Sequence, residues 1–179
     1  MRINLLPGLF LGLAFCLNLK AEISIDGVLD EEEWQSARKI NTFYEVFPYS
    51  LKEISDFKTD ILIFENPDGI YIGFKNYQSN ESMRSQNHER DDEMSLADKN
   101  GVSIDFDADG LIAYQFFVSS GGSIGDATYT NETEKSNDWD GDWLSATTIG
   151  EDVWFTEFFI PWSIAPMKKQ LGDKRKVKI

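Results

Sequence analysis

The stretch DILIFENPDGIYIGF (residues 60–74) carries the clearest structural pattern of the chain. Two apolar runs flank Asn66-Pro67-Asp68-Gly69, and this tetrapeptide has the residue types that favour a tight turn. Apolar runs on both sides of such a turn predict a β-hairpin. The chain is therefore expected to fold from short antiparallel strands.

Similar short runs recur along the chain, separated by turn residues. They predict about nine strands, at residues 23–25, 40–47, 57–64, 69–77, 101–106, 112–118, 124–129, 144–149 and 153–160. This spacing predicts an all-β fold, an antiparallel β-sandwich of the immunoglobulin or jelly-roll kind. One short N-terminal helix is predicted at residues 30–38, and residues 76–100 are predicted as a long surface loop.

The predicted start of the domain is IDGVLDEEEW (residues 25–34). Asp26-Gly27 is a turn dipeptide, Asp30 and Glu33 have the spacing of a helix-capping box, and Trp34 follows as a large apolar anchor. We expect the folded part to begin near Glu22.

The residues before this point have the layout of a secretory signal peptide. Residues 1–21 hold Arg2, an apolar run over residues 5–17 and no acidic residue, and the run is short for a membrane span. We expect cleavage after Ala21 and an exported protein in the periplasm, at the cell surface or outside the cell. At the C-terminal end, basic and apolar residues alternate over residues 174–179, as at the start of one more strand. Residues 22–179 are therefore interpreted as one domain that is truncated at its C-terminus.

Composition excludes several classes of function. Removal of the leader takes away Arg2, Lys20 and Cys16, which lowers the formal net charge from −14 to −16. Such a charge repels nucleic acid and anionic membrane surfaces, and a chain without cysteine has no disulfide or thiol chemistry. His88 is the only histidine and has no nucleophile patterned around it, so neither a catalytic triad nor a histidine-rich zinc site is expected.

Two loops are rich in oxygen ligands. The run Asp105-Phe106-Asp107-Ala108-Asp109-Gly110 resembles the first half of an EF-hand loop, but Phe116 stands where the bidentate glutamate belongs. Asp105, Asp107 and Asp109 are therefore either a polar hairpin tip or a calcium site completed by another loop. Residues 137–142 could complete it.

The second loop also suggests sugar binding. Trp139 lies between Asp138 and Asp140, and a tryptophan face beside carboxylates is a common way to hold a sugar ring. The Arg90-Asp91-Asp92 segment of the long loop is predicted to add polar contacts. Core packing is the alternative for Trp139, and it is the prediction for three other tryptophans: Trp34, Trp143 and Trp154.

Seven pieces of the sequence, in order, resemble the carbohydrate-binding module family 9-like domains. They are residues 25–34, GIYIGF at 69–74, the strand at 98–107, YQFFV at 114–118, Gly125-Asp126-Ala127, Asp138-Trp139-Asp140 with Trp143, and WFTEFFIP at 154–161. The likeness is closer to a branch at the front of long exported bacterial proteins of unknown function, in which an outer-membrane-type β region follows.

The resemblance implies a β-sandwich and a binding module without catalytic activity, often attached to glycoside hydrolases. Better-understood members hold sugar chain ends between two tryptophans, with an arginine, a glutamate and structural calcium nearby. Here the first tryptophan position falls on residues 94–96, the glutamate on Gly101 and the arginine near Phe117, while the second tryptophan lies beyond Ile179. The fold carries over and the family's sugar site does not.

Two other functions stay open at this point. The domain could be a periplasmic or surface appendage that binds an outer-membrane β-barrel. It could also hold haem, as related sandwich domains do, with His88 and either Met83 or Met94 as the available axial ligands.

Overall fold

The computed structural model describes residues 23–46, 54–92, 95–169 and 174–179. These residues form one short helix, nine strands and a single 3-10 turn at Trp162–Ile164. The helix is α1 (Glu33–Ser36), and the strands are β1 (Arg38–Ile40), β2 (Thr59–Glu65), β3 (Gly69–Tyr77), β4 (Lys99–Ile104), β5 (Ile112–Ser119), β6 (Ile124–Thr130), β7 (Glu134–Ser136), β8 (Leu144–Ile149) and β9 (Val153–Pro161). The prediction of an all-β fold with one short helix is confirmed.

The strands form two antiparallel sheets. One has five strands in the order β1-β2-β3-β9-β8, and the other has four in the order β4-β5-β6-β7. The first sheet therefore combines early and late parts of the chain, because β9 pairs with β3 over the full length of both strands.

The core lies between the two sheets and follows the alternation of the strands. In β9, the inward positions include Phe158 and Ile160, which are fully buried, and the indole of Trp143 stacks on Phe158 with ring centroids 5.6 Å apart. Phe116 and Val118 of β5 face them from the other sheet. Burial of each such side chain stabilises the fold by roughly 1.5–3 kcal/mol.

The hairpin predicted at residues 60–74 forms as β2 and β3. Asn66 Oδ1 accepts hydrogen bonds from the backbone N–H groups of Asp68 (2.8 Å) and Gly69 (3.1 Å). A Cβ at Gly69 would lie 2.4 Å from the carbonyl oxygen of Ile160 on β9. Glycine at this position lets the turn lie directly against the neighbouring strand.

Residues 23–34 cover the outer face of the five-stranded sheet. Ile23, Trp34 and Tyr71 are buried there as a second, smaller apolar cluster. Gly27 has a φ of +86°, and a Cβ on it would lie 2.9 Å from the backbone of Thr147, so the turn fits closely on the sheet.

Three predictions for this segment are wrong. Residues 23–25 form no strand, and the helix is Glu33–Ser36 rather than residues 30–38. The capping box is also absent, since the N-cap residue is Glu32 and has no side-chain cap. Glu31 instead accepts hydrogen bonds from Trp34 Nε1 (3.0 Å) and Ser24 N (2.9 Å). Because β1 begins to pair with β2 at Arg38, the chain has to be extended there. The helix before it is therefore limited to one turn.

Two strand predictions also need correction. The strand expected at residues 40–47 is β1 (Arg38–Ile40), followed by a single bridge between Tyr44 and Ile54, and Phe47 lies outside the described residues. β7 (Glu134–Ser136) was not predicted, because backbone pairing with β6 forms it and its side chains show no apolar alternation. In the described part of the chain, no helix is both long and apolar enough to cross a membrane. The expected leader at residues 1–21 lies outside that part.

Candidate functional site

The long loop between β3 and β4 closes an open edge of β6. β7 pairs with β6 only over Thr128–Thr130. At the other end of β6, residues of the long loop make the hydrogen bonds to this edge. The backbone N–H of Asp91 donates to the carbonyl oxygen of Ile124 (3.3 Å), and Asp91 Oδ1 accepts from the N–H of Asp126 (2.7 Å). Asp91 adopts a φ of +61°, which aspartate tolerates better than most residues. The loop is thus fixed to the sheet.

Asp126 is the centre of the cluster at this edge. Its side chain is fully buried, and its Oδ2 accepts hydrogen bonds from Arg90 Nη2 (2.7 Å), Trp143 Nε1 (2.8 Å) and Gly141 N (3.2 Å). Its Oδ1 is buried and has no hydrogen-bond partner among the described residues. One carboxylate therefore joins the long loop, the 137–142 loop and the core.

Arg90 lies between buried and exposed carboxylates. Besides Asp126, its Nε lies 2.8 Å from Asp140 Oδ1 and 3.8 Å from Asp91 Oδ2. The Arg90 side chain is 36% exposed and that of Asp140 is 70% exposed. The guanidinium is held in a defined plane while part of it stays accessible to a ligand.

Trp139 precedes Asp140 in the same loop and packs against the core. Its ring is half-buried and makes edge contacts with the rings of Tyr114 (4.8 Å between centroids) and Phe116 (5.8 Å). A Cβ at Gly141 would lie 2.7 Å from the indole, so glycine there lets the loop pass close to it. Trp139 thus contributes to the core and keeps part of its surface in solvent; sugar contact by this ring stays a prediction.

The structure brings together only some of the residues predicted to bind sugar. Arg90, Asp91 and Asp140 meet around Asp126, and Trp139 is the neighbour of Asp140 in sequence. Asp138 is exposed and accepts a hydrogen bond from the hydroxyl of Ser136 (3.2 Å), and Asp92 Oδ1 accepts one from the N–H of Ser95 (3.2 Å). Asp138 and Asp92 therefore support their own loops.

The Asp105–Asp109 loop is occupied by groups of the protein itself. Both oxygens of Asp105 accept backbone hydrogen bonds, from Asp107 N (3.1 Å) and Gly110 N (2.7 Å). Arg175 Nη1 contacts Asp107 at 3.0 Å, and Lys168 pairs with Asp109 and lowers the pKa of that carboxyl group. No cluster of three metal-ligating side chains occurs in the described residues. This arrangement does not fit calcium, and a calcium site here stays a prediction that requires Lys168 and Arg175 to move.

The three tryptophans predicted as core residues are all buried. Trp34, Trp143 and Trp154 are 5%, 7% and 3% exposed. Each indole N–H donates to a side-chain oxygen, from Trp34 to Glu31, from Trp143 to Asp126 and from Trp154 to Gln78. Burial of a tryptophan with its N–H satisfied avoids the cost of an unpaired donor.

A second buried acid, Glu157, lies on the other side of the molecule. Its Oε2 accepts hydrogen bonds from the backbone N–H groups of Gly27 (2.7 Å) and Asp26 (2.9 Å), which ties the N-terminal turn to β9. Burial raises the pKa of Glu157 to about 7, although these two hydrogen bonds lower it in part. Because Glu157 faces the N-terminal turn and Asp126 faces the core, they do not form the carboxylate pair that a glycosidase needs.

Sequence reasoning missed Asp126 and Glu157 as key residues. For Glu157 a signal was present, since it is an acid in the middle of the apolar run WFTEFFIP. For Asp126 the signal was weak, because it lies in the predicted strand at residues 124–129 between two small residues, Gly125 and Ala127. The polar loop around His88 predicts a solvated side chain, and this prediction is wrong: His88 is half-buried, and its Nε2 is buried without a hydrogen-bond partner among the described residues. Its Nδ1 lies 2.8 Å from the carbonyl oxygen of Glu89, while Met94 lies outside the described residues, so haem binding stays an untested hypothesis.

Comparison with known proteins supports the sandwich. No protein-family model matches the sequence, and no characterised protein matches it at a significant level. Among solved structures, the chain is similar to a family 9 carbohydrate-binding module from Caldicellulosiruptor kristjanssonii in complex with cellotriose, with a TM-score of 0.55, 15% identity, and coverage of 82% of this chain and 66% of that one. The fold is that of a family 9-like sandwich.

A second solved structure gives the same result. It is a family 9 module from the same organism in complex with glucose, with a TM-score of 0.54, 16% identity, and coverage of 82% of this chain and 68% of that one. The chain spans about two thirds of the length of these modules. At this identity the likeness extends to the family 9-like fold and not to individual site residues.

Proposed function

We propose that this protein is an exported, non-catalytic carbohydrate-binding module whose glycan contacts lie at the Arg90–Asp140 edge of the sandwich. The observation that carries the proposal is the partly exposed guanidinium of Arg90, held between Asp126 and Asp140, with the half-buried Trp139 next to Asp140 in sequence. The fold supports it, because the similar modules were solved with cellotriose and glucose.

The chemistry of the edge suits a sugar. Sugar hydroxyl groups both donate and accept hydrogen bonds, so a fixed guanidinium and an exposed carboxylate can hold two neighbouring hydroxyls at once. The partly exposed face of Trp139 can cover the apolar C–H face of a sugar ring. The cluster is already assembled by Asp126, so a ligand does not have to order it.

Calorimetric titration with neutral and acidic oligosaccharides tests the proposal. We expect Asp140→Asn to weaken binding about tenfold, because a hydrogen bond to a charged group contributes roughly 1.5–3 kcal/mol. Asp142→Asn is the matched control, since Asp142 is an exposed acid of the same loop outside the cluster. Equal affinities for the two variants, or no binding of any glycan by the wild type, would contradict the proposal.

Export is part of the proposal and has its own test. Its support is the layout of residues 1–21. Mass spectrometry of the mature protein is expected to find a new N-terminus at Glu22. An intact Met1 in protein recovered from the cytoplasm would refute export.

The wider role is proposed as an accessory to glycan breakdown. The alternative, an appendage of an outer-membrane β-barrel, predicts that the gene continues with amphipathic strands of about ten residues each. Sequencing of the full gene distinguishes the two, because an accessory module is followed by a hydrolase domain.

A further inference from the structure

A cleft opens between the two sheets at the end of the sandwich where β3 stops and β4 begins. It has a volume of about 260 Å³, and Asn76, Asn100 and Trp154 are among the residues that line it. None of the residues of the Arg90 cluster lines this cleft. It is therefore separate from the edge site.

The floor of the cleft consists of buried amide groups. Asn76 and Asn100 are each 7% exposed, and they face each other from the two sheets. Asn76 Oδ1 accepts a hydrogen bond from the hydroxyl of Thr59 (3.1 Å), and Asn76 Nδ2 donates to the carbonyl oxygen of Trp154 (3.4 Å). Asn100 Nδ2 donates to the hydroxyl of Thr156 (2.6 Å). An amide has two donors and two acceptor lone pairs, so these contacts hold the groups and leave capacity for a ligand.

The wall of the cleft is a chain of hydrogen bonds. Trp154 Nε1 donates to Gln78 Oε1 (3.0 Å), Gln78 Nε2 donates to Asp98 Oδ2 (2.9 Å), and the N–H of Arg84 donates to the same oxygen (2.9 Å). Because every link fixes the next, Gln78 and Asp98 are oriented before any ligand arrives.

An aromatic side chain forms the lip. Phe57 lines the cleft and is 60% exposed, next to the polar floor. A large exposed apolar ring beside convergent hydrogen-bonding groups is the combination that recognises a sugar ring, since a sugar has C–H faces and hydroxyl edges.

Three charged side chains line the cleft, Lys58, Lys99 and Asp98. Lys58 Nζ lies 4.3 Å above the ring of Tyr77, and Lys99 Nζ donates to the carbonyl oxygen of Asp92 (3.0 Å), so both ammonium groups have contacts within the protein. Asp98 adds a negative charge to the wall. An acidic sugar would meet this carboxylate, whereas hydroxyl groups can donate to it.

We propose that this cleft is a second ligand site, which binds a single ring of a neutral sugar through Asn76, Asn100, Gln78 and Asp98, with Phe57 covering the ring. The inference rests on the proposed glycan-binding function and adds a place and a ligand class to it. The volume is below the range of about 300–1,000 Å³ for ordinary ligand pockets, so the site takes one ring rather than a long chain.

Nuclear magnetic resonance of the indole N–H groups tests the inference. Trp154 reports on the cleft and Trp143 reports on the Arg90 edge. The probes are glucose, cellotriose and, as the acidic counterpart, glucuronate, added to the ¹⁵N-labelled protein. We expect glucose and cellotriose to shift the Trp154 resonance with saturation, and glucuronate to leave it in place.

A pair of variants tests the role of the lip. Phe57→Ala is expected to weaken the affinity measured at Trp154 about tenfold, in line with the loss of one aromatic contact. Tyr44→Ala is the matched control, because Tyr44 is equally exposed and does not line the cleft. An equal effect of the two variants would overturn the assignment of Phe57.

The same titration separates failure of this inference from failure of the proposed function. A shift at Trp143 without one at Trp154 overturns the second site and leaves the edge site in place. A shift at Trp154 alone supports the cleft and overturns the edge site. No shift at either indole with any of the three sugars overturns both.

Discussion

The carboxyl group of Glu157 makes the free energy of unfolding depend on pH. Its pKa is about 7 in the folded protein, against an ordinary value of 4.5, because it is buried. Between these pH values the folded protein keeps a proton that the unfolded chain has lost. Stability from this group is therefore fully present below about pH 4.5 and is lost as the pH rises towards 7.

Glu157→Gln should remove this pH dependence. Glutamine keeps an oxygen that accepts the hydrogen bonds from Asp26 and Gly27, and it does not ionise. Between pH 4.5 and 8, the wild type is expected to lose about 3 kcal/mol relative to the variant. Urea unfolding followed by circular dichroism at four pH values measures this difference, and parallel stability curves for the two proteins would contradict it.

The Arg90–Asp126 pair makes a second prediction for single residues. Arg90→Met leaves the charge of Asp126 buried without its cation. We expect a loss of about 2–3 kcal/mol in the free energy of unfolding, below the roughly 3–5 kcal/mol of fully buried pairs because Arg90 is partly exposed. Arg84→Met, an exposed arginine in the same loop, is the control.

A double variant identifies the cause of that loss. Asp126→Asn added to Arg90→Met removes the buried charge and keeps an acceptor for Trp143 Nε1. Part of the stability should return, as measured by urea unfolding. If the double variant loses as much stability as the Arg90→Met and Asp126→Asn variants together, packing rather than charge explains the effect.

Close packing between β5 and β6 gives a prediction for strands. A Cβ at Gly125 of β6 would lie 2.1 Å from the ring of Phe117, whereas one at Gly101 of β4 would meet its nearest neighbours at 3.5 Å. Gly125→Ala should therefore destabilise the fold by about 1–3 kcal/mol, and Gly101→Ala should be tolerated. Thermal unfolding of both variants checks this, and equal melting temperatures would show that the ring of Phe117 moves aside without cost.

Elements with a strong local pattern could be predicted from the sequence. The hairpin around Asn66–Gly69 and the alternation of β9 are visible because turn residues and apolar spacing encode them directly. Elements that depend on distant backbone pairing could not be predicted, and β7 is the example, since its side chains carry no signal. The length of helix α1 also depends on distant pairing, because the pairing of β1 with β2 ends the helix.

The candidate site could be predicted in part. Arg90 and Asp140 were singled out from charged and aromatic loops, and they lie 2.8 Å apart. Their common partner Asp126 was missed, because its role depends on the gap that the short strand β7 leaves at the edge of β6. Sequence patterns show which loops are polar, and tertiary pairing decides which of their side chains meet.

The net charge of the whole molecule predicts a response to salt. At −14 the chain repels itself, and this repulsion favours unfolding. An increase from 10 to 150 mM sodium chloride shortens the screening length from about 30 to about 8 Å. The melting temperature is expected to rise by a few degrees, as measured by scanning calorimetry. A fall would mean that ion pairs such as Arg175–Asp107 contribute more than the repulsion.

The shared carboxylate of Asp126 has an optical consequence for the molecule as a whole. It contacts Arg90 at the accessible edge and the indole of Trp143 in the interior. Light emission from an indole responds to charge close to its ring, so any molecule that draws the guanidinium outwards changes the field at Trp143. The protein therefore contains its own fluorescent reporter for events at its surface, and no attached dye is required.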